Sequence, residues 1–251
     1  MNNINESTVE NFIEILKRHE KMTNVFNPWK DFDETYDLDN NAVKIRCQNL
    51  KNYLISRKNA KYVLIAEAPG YQGCHFSGIP MTSERIFKKY NLHDMERSSC
   101  KDKLKEKRKA KTIQRDGFTE PTATIVWSFL NSSKKLKTTD FVLWNVFPFH
   151  PHKKDQLLSN RKPVQNELNS TRDILDAFLK LFKNAKVIPI GNIAANLLEF
   201  ETAILLMEER KNLKYKCENY SLNFVNFYFI LFKDDRKLKL ITSPSTVVKN
   251  T

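Results

Sequence analysis

The sequence predicts an α/β fold, a three-layer α/β/α arrangement around a central, mostly parallel sheet. Three observations lead there. Two short apolar runs, Tyr62–Ala66 and Phe141–Asn145, lack polar alternation, as expected of strands covered on both faces. Segments with helical spacing separate the strands, which is the signature of a parallel sheet with crossover helices. Each apolar run also stops abruptly at a loop rich in Pro, Gly or polar residues, and in open α/β sheets ligands lie beyond those strand ends.

Taken in order, the first helix is signalled by Ser7 with Glu10 three residues on, a capping-box pattern, and by Val9, Phe12, Ile13, Ile15 and Leu16 on one face. Residues 23–41 are polar and turn-rich, and Ala42–Ser56 reads as a second helix. The strand Tyr62–Ala66 follows and ends in Glu67-Ala68-Pro69-Gly70. Residues 101–115 form a basic, apolar-poor stretch, after which Pro121 sits at the first turn of another helix. The strand Phe141–Asn145 runs into Val146-Phe147-Pro148-Phe149-His150-Pro151-His152. Pro163 is expected to open one long helix carrying Ile174, Leu175, Phe178, Leu179 and Leu181. A third strand, 187–190, leads through Gly191 and Asn192 into a helix. Segments 224–232 and 238–241 read as further strands before Ser243-Pro244-Ser245. No repeat or long linker interrupts the chain, so residues 1–251 are expected to form one domain. It would have a helical N-terminal segment, 1–58, and a core at 60–245.

Composition narrows the partners. Forty-two Lys and Arg against 29 Asp and Glu leave a net charge of +13, which favours polyanions because each neutralised phosphate releases counterions. Hydrophobic residues make up 41% of the chain, enough for a core and too many for wholesale disorder. No apolar run reaches the ~20 residues of a membrane span, and the N-terminus lacks a signal-peptide pattern, so a cytosolic monomer is expected. Cys47, Cys74, Cys100 and Cys217 are isolated in sequence and are read as free thiols rather than metal or cluster ligands.

The densest signal lies after the first buried strand. Gly70, Gly73 and Gly78 fall within nine residues, in a chain with five glycines. Such clustering implies backbone that turns sharply or lies close against a ligand. The segment AEAPGYQGCHFSGIPMTSE resembles the first motif of the uracil-DNA glycosylase superfamily. WNVFPFHPH resembles its strand-end motif, and VIPIGNIAANLL its later strand–Gly–helix segment; EPTATIVW and LSNRKP lie between motifs. The resemblance covers about residues 60–245 and is carried by the ordered series.

What the resemblance implies is a DNA glycosylase that acts on a flipped base without metal or cofactor. Glu67 would activate water or stabilise the oxocarbenium-like sugar, and Asn145 would read the base through its donor and acceptor. Where enzymes strict for uracil carry a Tyr that blocks C5, this chain has Gly70, so an open C5 wall is expected. Met81 stands where a Phe usually stacks on the base, with Tyr71 or Phe76 expected to supply the missing ring. The final motif carries Ser243 in place of His, and His150 or His152 could substitute. Ser83, Gly191, Asn192, Ser245 and Lys249 are assigned to DNA contact; the 101–115 run, Arg85 and Arg161 are weaker candidates. The expected substrate is uracil or a C5-modified pyrimidine. The alternatives are a defence enzyme excising hydroxymethylated or glucosylated cytosine from phage DNA, and a non-catalytic DNA-binding protein of the same fold.

Overall fold

The computed structural model describes residues 4–99 and 116–198, together with the backbone of two later strands, Phe229–Phe232 and Leu238–Ile241. The chain begins with α1 (Glu6–Arg18), whose Val9, Phe12, Ile13 and Leu16 are buried. Its start differs from the expectation. Asn5 is the N-cap: its Oδ1 accepts from the Thr8 amide at 2.9 Å, and the Thr8 hydroxyl receives the Asn5 amide at 3.0 Å. Asn is among the best caps, which leaves Ser7 inside the helix and frees Glu10 to pair with Lys51 at 2.7 Å.

A two-residue strand, β1 (Val25–Phe26), interrupts the turn-rich region, and α2 (Ala42–Ser56) follows with the bounds that its pattern predicts. The central sheet consists of β2 (Tyr62–Ala66), β3 (Phe141–Asn145) and β5 (Lys186–Pro189), all parallel, in the order β3-β2-β5. Ala66 lies opposite Asn145 and Ile65 opposite Pro189, so three strand ends stand side by side. Between β2 and β3 come α3 (Cys74–Ser77), α4 (Glu84–Lys89) and α5 (Pro121–Ser132). Pro121 occupies the first turn of α5, and the Glu120 side chain caps it by accepting from the Thr122 and Ala123 amides.

Beyond β3, the strand β4 (His150–Pro151) pairs antiparallel with β1. The single helix expected from Pro163 is two: α6 (Gln165–Ser170) and α7 (Arg172–Leu181). Thr171 breaks them with φ −115° and ψ 10°, and its buried hydroxyl bonds the Glu167 carbonyl at 3.1 Å, the local back-bonding that competes with helix continuation. α8 (Asn192–Leu197) starts after Gly191 as expected, and Phe229–Phe232 (β6) pairs antiparallel with Leu238–Ile241 (β7).

The core lies beneath β3. Trp144 stacks on Phe178 at 4.3 Å and on Trp29 at 5.9 Å, with Phe12 edge-on at 5.3 Å. Rings of this size dominate burial energetics, so α1, α7 and the 27–37 segment are all held against one strand. That segment is fixed further by Arg46, fully buried, which pairs with Asp37 at 2.5 Å and bonds the carbonyls of Pro28 and Asp31. Gly78 packs on the Arg46 backbone so closely that a Cβ would lie 2.5 Å from its carbonyl oxygen. Its φ of +71° also suits glycine.

Candidate active site

The site is built where β2 and β3 end. The chain leaves β2 for β3 on one side and later crosses to β5 on the other, so the connections diverge above β2. Open α/β sheets bind ligands at such a divergence. The Val146 amide donates to the Ala66 carbonyl at 2.8 Å and the Phe147 amide to the Glu67 carbonyl at 3.0 Å. Glu67 thus begins its loop one residue past the partner of Asn145, about one strand spacing, ~5 Å, away across the ladder.

Asn145 is 1% exposed, yet among the described residues neither its Nδ2 nor its Oδ1 has a hydrogen-bond partner. A buried amide without partners costs several kcal/mol in an apolar setting, on the order of 2–7. Buried polar atoms left this way call for an explanation, and a ligand that supplies one acceptor and one donor is one. Glu67 is half-buried; burial pushes its carboxyl above the usual range, while the positive charge of Lys162 pulls the other way.

The loop after Glu67 corrects three expectations. The space beside Gly70 is not open: a Cβ there would meet the Asn160 carboxamide, with Nδ2 at 3.2 Å and Oδ1 at 3.4 Å. The Tyr71 amide donates to Asn160 Oδ1 at 3.0 Å, which holds that carboxamide against the turn. Phe76 is not available to stack on a base, because Phe118 lies parallel to it at 5.1 Å and His75 packs at 4.3 Å. Tyr71, half-buried, meets the same Phe118 edge-on at 5.8 Å. Met81 is 7% exposed and belongs to the hydrophobic core, with a φ of +48° that costs a bulky residue roughly 1–2 kcal/mol.

His150 is not placed to replace the absent motif His. It is fully buried; its Nε2 bonds the Ser159 carbonyl at 2.8 Å and its Nδ1 lies 2.9 Å from Nδ1 of His75. His75 Nε2 in turn faces Asp33 Oδ2 at 3.3 Å. These contacts assign the protons. A carbonyl only accepts, so His150 Nε2 carries its hydrogen. Burial drives both imidazoles well below their ordinary pKa, so both are neutral, and His75 Nδ1 must donate to His150 Nδ1. His75 Nε2 then carries no hydrogen and can only accept, so its contact with Asp33 needs the hydrogen on the carboxyl, whose pKa burial pushes up. Phe26 of β1 stacks on His75 at 3.8 Å and covers the pair. His152 is half-buried, with Nδ1 on the Lys153 carbonyl at 2.9 Å.

Among the assigned DNA contacts, Ser83 is 1% exposed, with an Oγ that has no partner among the described residues. Gly191, with φ +87° and nothing within 4 Å of a Cβ, and the exposed Asn192 follow β5, at the same carboxyl end of the sheet as Asn145 but two strands away. Arg161 is held internally, bidentate to Glu167 at 2.8 and 2.5 Å with further bonds to the His152 and Asn24 carbonyls. Arg85 donates to the Gly117 carbonyl at 3.0 Å. Ser243, Ser245, Lys249, the 101–115 run, Cys100 and Cys217 lie outside the described residues. Cys47 and Cys74 are free thiols. Phe118, Asn160, His75 and Asp33 were not singled out in the sequence; only the Gly117-Phe118 pair after the basic run and the LSNRKP string around Asn160 offered a signal.

The uracil-DNA glycosylase superfamily model matches residues 54–245. The chain belongs to that superfamily. A crystal structure of wild-type SMUG2 from Pedobacter heparinus is similar in fold, with a TM-score of 0.47, 13% identity, and coverage of 84% of this chain and 91% of that one. No curated protein matches. Among the described residues, no helix is long and apolar enough to cross a membrane.

Proposed function

We propose that the protein is a monofunctional DNA glycosylase that takes a uracil or C5-modified pyrimidine out of the stack and hydrolyses its N-glycosidic bond. The observation that carries this reading is the buried, unpartnered amide of Asn145 at the end of β3, beside the Glu67 loop. A pyrimidine edge offers a carbonyl oxygen to Nδ2 and an N–H to Oδ1, satisfying both atoms at once.

In the reaction the C1′–N bond breaks with its electron pair leaving on the base, and positive charge develops on the sugar. A half-buried carboxylate at Glu67 stabilises that charge and accepts a proton as water oxygen bonds to C1′. The products are a free base and an abasic site; no lysine is assigned as a Schiff-base nucleophile, so strand cleavage is not expected. Ser243 would donate to the base carbonyl in the role usually filled by His. Ser83, Gly191, Asn192, Ser245 and Lys249 are carried as the DNA contacts of this reading.

The test is release of free base from oligonucleotides, read by mass spectrometry. Glu67→Gln and Asn145→Ala should each lower turnover about 100-fold, the scale of losing one electrostatic contact to the transition state. Unchanged DNA binding with no base released by the wild type would make the protein a binder of this fold rather than an enzyme. Running uracil DNA beside hydroxymethylated and glucosylated phage DNA separates repair from defence. Release of uracil at ordinary turnover argues for repair.

A further inference from the structure

Gly70 has no side chain, but the position beside it is filled. The Asn160 carboxamide lies against Gly70, and its orientation is determined by its neighbours: only oxygen accepts from the Tyr71 amide, so Oδ1 faces that N–H at 3.0 Å. The carboxamide also interacts with the His150 side chain, and its Nδ2 lies 3.2 Å from where a Gly70 Cβ would stand, on the loop that Glu67 opens. The residue is exposed, so the group can be reached by a ligand.

The turn that carries Asn160 is anchored from below. Ser159, its neighbour, receives the His150 Nε2–H at 2.8 Å, and His150 is backed by His75 and Asp33 in an unbroken buried chain. An exposed amide normally samples several rotamers at little cost. This one is pinned at its oxygen and at the preceding carbonyl, so its two donors are preorganised.

We propose that Asn160 is the specificity-determining residue at Gly70, presenting a hydrogen-bond donor to an oxygen-bearing substituent on C5 of the flipped pyrimidine. The inference rests on the glycosylase reading above, with the C5 edge turned toward Gly70. A bulky apolar side chain at this place would exclude any C5 group. An amide N–H donates to the oxygen of a hydroxymethyl group, or to that of the ether that a sugar on that group would form, and gains nothing from plain uracil.

The experiment compares uracil with 5-hydroxymethyluracil in one single-stranded sequence, using the full chain and its Asn160→Ala and Asn160→Asp variants. Asp keeps the shape and removes the donor. Both variants should lower the preference for the hydroxymethyl base about fivefold, the scale of one hydrogen bond, with the change in KM. Uracil release should move less than twofold. The same two bases on uncleavable 2′-fluorinated sugars should show the same fivefold change in Kd. An equal loss on both bases, carried in kcat, overturns the inference and places the carboxamide at the attacking water. If the wild type releases no base of either kind, the glycosylase reading fails and takes the inference with it; base release with an unaltered preference defeats the inference alone.

Discussion

At the scale of single residues, two side chains stand in environments that ordinary folding does not favour. Asn145 is buried with both polar atoms unpartnered among the described residues, and Glu67 is a carboxylate that burial works to protonate. The second has a direction that can be measured. Since burial raises the Glu67 pKa above its ordinary 4.5, activity that needs the carboxylate should fall as pH drops, beginning above that value. Lys162 offsets the burial, so Lys162→Ala should move this acid limb of kcat/KM to higher pH, and a pH–rate profile of the two proteins checks it. A limb that stays put would mean Glu67 is not the titrating base. The same shift has a stability side: a folded state that prefers the acid form is disfavoured above the unfolded pKa. Glu67→Gln should therefore melt slightly higher at neutral pH while losing activity. Asn145 was legible in the sequence because it terminates an uninterrupted apolar run. Asn160 was not, because the LSNRKP string marks a loop without showing that this side chain folds back 90 positions onto Gly70.

At the scale of elements, the β1–β4 ribbon and the Asp33–His75–His150 chain fasten the N-terminal segment to the loops of the site. Both imidazoles are held neutral, with folded pKa values well below the ordinary 6.5. The sign follows from linkage: below about pH 6.5 the unfolded chain binds protons that the folded chain refuses, so stability is complete above that value and declines as pH falls. Arg46 and His152 add to the effect by repelling charge on His75. Denaturant midpoints measured from pH 7.5 down to about pH 5 should drop steeply, and the drop should flatten in the His75→Gln, His150→Gln double variant. An equally steep decline in that variant would assign the acid sensitivity to other groups. The strands β2 and β3 were legible, since a segment buried on both faces needs no periodicity beyond continuous apolar character. β1 was not, because two residues carry no pattern and their pairing partner lies more than a hundred positions away. Thr171 shows the other limit. Its neighbours keep helical apolar spacing, yet its hydroxyl turns back on Glu167 and divides the helix.

For the whole molecule, the surplus of 13 positive charges predicts how it meets DNA. Affinity for single-stranded or duplex DNA should fall about tenfold or more between about 50 and 200 mM salt, because bound phosphates release counterions. Fluorescence anisotropy across that range measures it; an affinity indifferent to salt would remove the electrostatic part of the reading. By itself, the sequence determined the α/β class, the two central strands, the helix at Ala42–Ser56, the family and the strand ends at which Glu67 and Asn145 stand. Those properties reside in residues that are neighbours along the chain, where apolar runs, caps and glycine clusters act locally. Only the tertiary structure decided that Asn160 covers Gly70, that Phe118 closes over Phe76, and that His150 is buried against His75. Each of these joins residues 42 to 90 positions apart, and such pairs are selected by packing across the whole core, which no local pattern records.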